Sequence, residues 1–297
     1  MKIFLSIRPK LIGGGSNTFS VLFKKWAKQN GHKIVKKILK ADLAIVIAHL
    51  AQEHDLAQAK ANGCRIVHRL DEYFEQNEDK VRRKKHDKIV LLNGYADLTV
   101  FQSQFVYRNV QPVLKSENNR IIYNGGDHKK FSPASKPGNY IGHVTWGIAE
   151  KKRLDLLHNF ITNHPEEQFL LIGRHKSSQY DFKLPNVKLV GKVRRWSQPK
   201  YFRKMKLLYF PSENDPCPNT VIEAILSGVP VCYNSVGGAI ELVRGRPDRI
   251  GFLDTKVCGL PLNRVNEMMS DLCRYRENCF NRSDLHFDKV FEQYLKD

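Results

Sequence analysis

The segment Pro211–Val243, PSENDPCPNTVIEAILSGVPVCYNSVGGAIELV, holds the densest grouping of residues able to do chemistry. A short apolar run ends at Pro211, a polar loop follows, and a helical pattern comes next. Asp215 falls in the loop and Glu223, eight positions on, in the helix. Both carboxylates can face the crevice beyond the strand's carboxyl end, where open α/β sheets bind ligands. The loop between them, Cys217, Pro218, Asn219 and Thr220, runs into the positive end of that helix. Such an arrangement suits a diphosphate flanked by two sugars, with one carboxylate gripping hydroxyls on each side. An ordinary helix start, capped by Asn219 or Thr220 with Glu223 in solvent, fits the same spacing.

Two other groupings bear on ligands. Gly13-Gly14-Gly15 follows the first apolar run and precedes a helical pattern. Glycines there let the backbone approach a ligand, and a helix N-terminus favours a phosphate. The run is not G-x-G-x-x-G, and a flexible turn accounts for it equally well. The second grouping is charge. Residues 1–40 hold ten Lys or Arg and no Asp or Glu, and Lys80, Arg82, Arg83, Lys84, Lys85, His86 and Lys88 follow. Lys24, Lys25 and Lys28 stand beside Phe23 and Trp26 in one helical pattern. A basic face next to aromatics suits an anionic lipid surface, with Phe23 or Trp26 inserting. A solvated helix face with both aromatics in the core fits the same spacing.

The elements that must position these residues alternate along the chain. Strands are predicted at Lys2–Ile7, Leu43–Ile47, Arg65–Leu70, Leu98–Phe101 and Arg120–Tyr123. Helices are predicted at Asn17–Asn30, Glu53–Asn62 and Lys84–Ala96. The segment Ser132–Asn139, rich in proline and serine, reads as a boundary. The pattern then restarts. Strands are expected at Tyr140–Val144, Gln168–Ile172, Val187–Val190, Leu207–Phe210 and Val229–Tyr233. Helices are expected at Lys152–Asn163, Pro199–Lys204 and Thr220–Ser227. Two successive βα arrays mean two parallel-sheet, Rossmann-like domains, residues 1–135 and 136–282, with a final helix over 283–297.

Composition agrees with a globular chain: 297 residues, 41% hydrophobic and 27% charged. It excludes disorder and collagen-like repeats. The net charge of +19 predicts attraction to something acidic. No apolar run reaches the length of a membrane span, and the N-terminal apolar stretch is too short for a secretory signal. Six cysteines without a C-x-x-C pair argue against zinc and a disulfide framework, and for a reducing, cytoplasmic compartment.

The same residues resemble the retaining glycosyltransferases of family 4, which have the GT-B fold. The family's phrase P-S-x-x-E-x7-E-A-x3-G-x-P-V stands here as Pro211-Ser212, Asp215, Glu223-Ala224, Gly228 and Pro230-Val231. Gly237-Gly238 and Glu241 follow it. The linker phrase N-G-x-D-x3-F-x-P stands as Asn124-Gly125, Asp127, Phe131 and Pro133. N-V-x-x-x-G-x-V is present as Asn186-Val187, Gly191 and Val193. The β1 glycine loop and Gly31-His32-Lys33-Ile34-Val35 are similar as well. The chain departs from the family in three places. Asp215 replaces a glutamate. His143 stands near the family's arginine, with Arg153 as the other source of that charge. Asp71 aligns with the family's first-domain histidine, while His68, three residues earlier, reads equally as structural.

The resemblance implies two Rossmann-like domains facing across a cleft, with the C-terminal helix crossing back to the first. It implies transfer from a nucleotide-diphosphate sugar, UDP- or GDP-linked, with retention of anomeric configuration. Glu223 would accept from ribose hydroxyls. Asp215 and the loop Cys217, Pro218, Asn219 and Thr220 would hold the sugar or diphosphate. Lys152 and Arg153 would neutralise the departing diphosphate in place of a metal; the sequence has no D-x-D motif. The base would meet backbone near Val193 and Arg194. Gly14 and Gly15 would close over the phosphates, and Asp71 would complete the catalytic set. No cofactor or metal is expected. The acceptor would be a glycan or a lipid-linked glycan, reached from the cytoplasm or from a peripheral position on a membrane. A sugar-nucleotide epimerase or hydrolase of the same fold is the alternative. A nucleic-acid-binding protein rests on charge alone, because no nucleic-acid-binding motif is present.

Overall fold

A computed structural model describes residues 1–8, 14–74, 79–176, 178–245 and 257–296. Gly13, part of the glycine run, lies outside the described residues. By contacts the chain divides into two units, residues 1–125 with 287–297, and residues 126–286.

The first unit runs β1 (Lys2–Leu5), α1 (Gly15–Gln29), β2 (Lys33–Val35), β3 (Leu43–Ile47), α2 (Glu53–Ala61), β4 (Arg65–Leu70), α3 (Lys80–Asn93), β5 (Leu98–Phe101), α4 (Gln104–Leu114) and β6 (Asn119–Ile121). Its sheet is parallel throughout, in the order β2-β1-β3-β4-β5-β6. The uninterrupted apolar run of β3 is the signature of a strand covered on both faces, and all five of its residues are buried. Helix α1 buries Phe19, Leu22, Phe23, Trp26 and Ala27, one face at helical spacing, and the chain then turns at Gly31 with φ +73°.

The second unit runs β7 (Tyr140–Thr145), α5 (Leu154–Asn163), β8 (Phe169–Gly173), β9 (Val187–Gly191), α6 (Pro199–Phe202), β10 (Met205–Phe210), α7 (Asn219–Leu226), β11 (Val231–Tyr233), α8 (Ala239–Arg244), β12 (Gly259–Pro261), α9 (Val265–Ser270) and α10 (Leu272–Cys279). This sheet is also parallel, in the order β12-β11-β10-β7-β8-β9. From β7 the chain builds towards β9, and from β10 it builds the other way. The order therefore reverses between β7 and β10, and the loops leaving Thr145 and Phe210 part there. Two Rossmann-like parallel sheets are the α/β architecture expected.

Several expectations need correction. The tail is not one helix. It is a 3-10 turn at Ser283–Leu285, a short α11 (Phe287–Phe291) and a second 3-10 turn at Glu292–Tyr294. Phe287, Val290, Phe291 and Tyr294 join the core of the first unit. Phe23 and Trp26 are not available to insert into a lipid surface. Phe23 is fully buried and Trp26 nearly so, with the Phe291 ring 5.1 Å from Phe23 and 6.0 Å from Trp26. Lys24 and Lys28 are exposed, while Lys25 lies 5.1 Å over the Phe287 ring. The solvated-face reading of α1 is the one the structure adopts.

Candidate functional site

In doubly wound sheets ligands bind at the carboxyl ends of strands where the order reverses. In the second unit that point lies between β7 and β10, and the two departing loops are tied together there. Lys152 Nζ donates to Asp215 Oδ2 at 3.2 Å. The Glu213 amide donates to the Lys151 carbonyl at 2.8 Å, and the Arg153 guanidinium reaches the Glu213 carboxylate. Arg153 also grips Asp155 through Nε at 3.0 Å and Nη2 at 2.8 Å. These two carboxylates push the Arg153 pKa further up, with the Asp155 hydrogen bond the larger cause. Lys152 and Asp215 remain part-exposed, so a ligand can reach them.

The backbone under Asp215 is held in turn. Asn214 has φ +52° and its amide donates to Val236 O at 2.8 Å. Gly238 N donates to Asp215 O at 2.9 Å, closing a bridge between Asp215 and Gly237. Gly237 has φ +129°, and a Cβ there would stand 3.0 Å from the Asp215 amide nitrogen. A glycine is needed for both reasons.

The loop then enters α7. Its N-cap is Pro218, which makes no side-chain cap bond, so neither Asn219 nor Thr220 caps this helix. Cys217 and Pro218 are buried, while Asn219 and Thr220 are half-buried in the first turn. Glu223 is not solvated. It is 6% exposed, its carboxylate 3.3 Å from Arg195 Nη2. Burial pushes its pKa up to about 7, and the Arg195 charge pulls against that.

The other second-unit residues lie on neighbouring strands. His143 is inside β7, not at its end, and is 1% exposed. Its Nδ1 is 2.7 Å from His175 Nε2, and its own Nε2 makes no hydrogen bond. Burial first, then the neighbouring His175 and Lys152, hold it well below the usual histidine range. Val193 and Arg194 follow β9, and Arg194 leads into a 3-10 turn, Arg195–Ser197, that carries Arg195 towards Glu223.

In the first unit Gly14 precedes α1 and Gly15 opens it. Ser16, next along, hydrogen-bonds the Asp71 carboxylate, so Asp71 sits at the positive end of a fifteen-residue helix. Arg69, fully buried, pairs with Asp71 at 3.2 Å, donates to Asn124 Oδ1 at 2.7 Å, and stacks 4.0 Å over Phe19. His68 is structural. Nε2 meets Ala48 O at 2.9 Å, Nδ1 meets Asn93 Nδ2 at 3.0 Å, and burial lowers its pKa to about 4.

Within the second unit, then, the structure pairs Lys152 with Asp215 and seats Arg153 beside them. It places Glu223 with Arg195 and His143 with His175. Glu213, Arg195 and His175 were missed from sequence. Glu213 falls at an unconstrained position of the motif, and Arg195 and His175 sit in loops where only contacts reveal a partner.

Residues 139–258 match the family described as "Glycosyl transferases group 1". Among solved structures, Anabaena HepE in complex with UDP-glucose superimposes with a TM-score of 0.72 at 16% identity, covering 99% of this chain and 98% of that one. The sucrose-phosphate synthase of Thermosynechococcus elongatus gives 0.66 at 16%, covering 93% and 76%. An α-glucosyltransferase in complex with UDP and a 13-mer DNA gives 0.65 at 14%, covering 99% and 98%. The family match supports a glycosyltransferase, and the solved structures show the fold. The two sheets are of the GT-B type. No curated protein sequence matches the chain.

Proposed function

We propose that the protein is a retaining family 4 glycosyltransferase that moves a sugar from a nucleotide-diphosphate donor to a glycan or lipid-linked acceptor without a metal. The observation that carries this reading is the Lys152–Asp215 pair at the reversal point of a unit that matches a glycosyltransferase family. Lys152 stabilises the negative charge that grows on the departing diphosphate. Asp215, on the facing loop, accepts from a hydroxyl of the donor sugar. Glu223 accepts from the ribose hydroxyls once ionised. Arg153, occupied by Asp155 and Glu213, holds the Lys152 loop in place. Neutral His143 lies behind this loop. The base lies against backbone at Val193 and Arg194. UDP in the HepE and α-glucosyltransferase structures favours a uridine donor over a guanosine one.

An anionic membrane surface is part of the proposal. On α3, Lys80, Arg83 and Lys84 are exposed beside exposed Val81, Val90 and Leu91. This outer face combines charge with apolar side chains, as surface-bound helices do.

The test is a thermal-shift screen of UDP, GDP and their sugars, with and without EDTA, followed by transfer of labelled sugar to glycan and lipid-linked acceptors. At 100 times its dissociation constant the cognate donor stabilises by about 2.7 kcal/mol. NMR of the product reads the anomeric configuration. Binding that EDTA abolishes and magnesium restores overturns the metal-free reading. Free or isomerised sugar in place of transferred sugar selects the hydrolase or epimerase.

A further inference from the structure

All six cysteines are free thiols, and only Cys273 is exposed. Two of the buried ones meet in the second unit. Cys258 stands just before β12 and is 0% exposed, and Cys279 closes α10 and is 2% exposed. Their side chains hydrogen-bond one another. As a thiol, Cys258 also donates to Asn278 O at 3.4 Å, and Cys279 donates to Tyr275 O at 3.3 Å. A thiol buried among apolar groups is ordinarily inert.

A cation sets this pair apart. Arg282 is 5% exposed, and its Nη1 donates to Cys258 Sγ at 3.4 Å. The same Nη1 donates to Leu242 O at 2.6 Å, while Nε and Nη2 each hold Asp284 at 3.0 Å. A guanidinium keeps its proton, so Cys258 faces a permanent positive charge. The hydrogen bond from Cys279, joined by the Arg282 charge and opposed by burial, holds Cys258 below the usual thiol range. Burial pushes Cys279 well above it. One sulfur is set up as a thiolate nucleophile and its neighbour as the thiol that resolves it.

The proposed sugar transfer uses neither sulfur. We infer that Cys258 and Cys279 form an oxidation site, a thiol pair that a peroxide converts to a disulfide, and that closing it loosens the loop carrying Asp215. The Cys258 thiolate attacks one oxygen of hydrogen peroxide. An S–O bond forms, the O–O bond breaks, and the leaving hydroxide takes up the proton that Cys258 released. The Cys279 sulfur then attacks the Cys258 sulfenic sulfur. An S–S bond forms, the S–O bond breaks, and water leaves with the Cys279 proton. Both sulfurs are oxidised, and the peroxide is reduced to two waters.

Backbone contacts carry the change towards the candidate donor site. Cys258 N donates to Val243 O at 3.1 Å and Arg282 donates to Leu242 O, so both residues grip the end of α8. That helix starts at Ala239, directly after Gly238, whose amide donates to Asp215 O at 2.9 Å. A covalent S–S bond is shorter than a hydrogen bond between thiols, so Cys258 moves towards α10 on oxidation. The neutral disulfide also removes the charge that Arg282 faced. Both changes pull on α8 and, through it, on Gly238 and Asp215. The effect on donor binding rests on the glycosyltransferase reading, whereas the oxidation itself does not.

The full chain is treated with hydrogen peroxide, and peptide mass mapping without reduction locates any disulfide. A Cys258–Cys279 disulfide is expected. Amide exchange of residues 239–244 should speed up, and nucleotide-diphosphate affinity should fall about fivefold, at the low end for coupled sites. Dithiothreitol should restore both. Cys279→Ser should stop at the Cys258 sulfenic acid, which dimedone traps, and Cys258→Ser should keep its exchange and affinity under peroxide. The mapping on wild type stands whether or not the variants fold. Oxidation confined to exposed Cys273 overturns the inference. A Cys258–Cys279 disulfide that leaves exchange of residues 239–244 unchanged overturns it too. Faster exchange with unchanged donor affinity, in a chain that binds nucleotide, overturns the link to Asp215. Failure of the transferase reading is seen separately, as no thermal shift of the reduced chain with any nucleotide sugar, and amide exchange then decides the inference alone.

Discussion

Lys152 and Asp215 meet at 3.2 Å across the reversal point of the second sheet, each from a different loop and each still part-exposed. A part-exposed ion pair adds little to folding, about 0–1 kcal/mol. On the proposed reading its value is positional, because the pair keeps an ammonium and a carboxylate where a diphosphate and a sugar would come apart.

Lys152→Ala should therefore reduce turnover far more than stability. Loss of one preorganised charge at a leaving group lowers kcat by about 10²–10³. The melting temperature should move little. Arg153→Ala should do the reverse in proportion, because its guanidinium is already engaged by Asp155 and Glu213. That variant should lose stability and donor affinity while keeping more turnover at saturating donor. Steady-state kinetics with thermal unfolding on both variants separates the two roles. Equal loss of kcat in both would return Arg153 to direct contact with the diphosphate.

Glu223 makes a pH prediction whose sign can be worked out. Burial raises its pKa from 4.5 to about 7. Between those values the folded chain holds a proton that the unfolded chain has released. The stability this group contributes is complete below the lower value and is lost as pH rises through the upper one. Glu223→Gln should remove that slope, so the variant gains relative to wild type from about pH 5 to about pH 8. Donor affinity should run the other way in wild type. On the proposed reading ribose hydroxyls donate to the ionised carboxylate, so binding should strengthen as pH rises and release a proton near neutrality. Titration calorimetry in two buffers of different ionisation enthalpy counts that proton. A pH-flat affinity in wild type would take Glu223 out of the donor contact.

The backbone under Asp215 is tested by Gly237→Ala. The added Cβ meets the Asp215 amide at 3.0 Å, and φ +129° is a region that side chains avoid. A strained position of this kind costs about 1–3 kcal/mol. The loop should relax by moving Asp215 away from Lys152, so donor affinity should fall along with stability. Calorimetric unfolding with nucleotide-diphosphate titration measures both. A variant that loses stability yet binds donor like wild type would show that Asp215 is not positioned through Gly237.

Much of this was legible in the sequence because parallel strands buried on both faces write themselves as apolar runs. Leu43–Ile47, Arg65–Leu70 and Leu98–Phe101 were read to the residue. What was missed has physical causes. Strand β2 is three residues long, with an exposed lysine, and offers no period to count. Helix α4 carries Pro112 inside it, which reads as a break. Helix α3 begins four residues earlier than expected, because Asp79 caps it by accepting from the Val81 and Arg82 amides. The tail looked like one helix, yet its aromatics serve the first unit's core and the chain breaks into short turns to place them. In the site, Asp215 and Glu223 could be named from spacing. That Glu223 is buried against Arg195, and that Arg153 is spoken for by Glu213, depends on contacts between residues distant in sequence.

The last expectation concerns the membrane. With Phe23 and Trp26 in the core, α1 offers only charge, whereas α3 offers charge and apolar side chains on one outer face. Lys80, Arg83 and Lys84 lead towards Val90 and Leu91, which are 39% and 49% exposed. Each cation near an anionic leaflet contributes about 1 kcal/mol, so a few acting together give reversible attachment. Attachment should weaken steeply as salt shortens the Debye length from about 10 Å at 0.1 M to about 3 Å at 1 M. Reversing Lys80, Arg83 and Lys84 to glutamate should abolish flotation with anionic liposomes. Reversing Lys24 and Lys28 on α1 should reduce it less, since none of the helix's own apolar side chains is exposed beside them. Nucleotide affinity should survive both sets, because the proposed donor contacts Lys152, Asp215 and Glu223 lie in the other unit. Equal recovery with neutral and anionic vesicles, or none with either, would refute membrane attachment and leave the acceptor to be met in solution. A larger loss from the α1 set would show that charge alone, without apolar contact from α3, holds the protein at the surface.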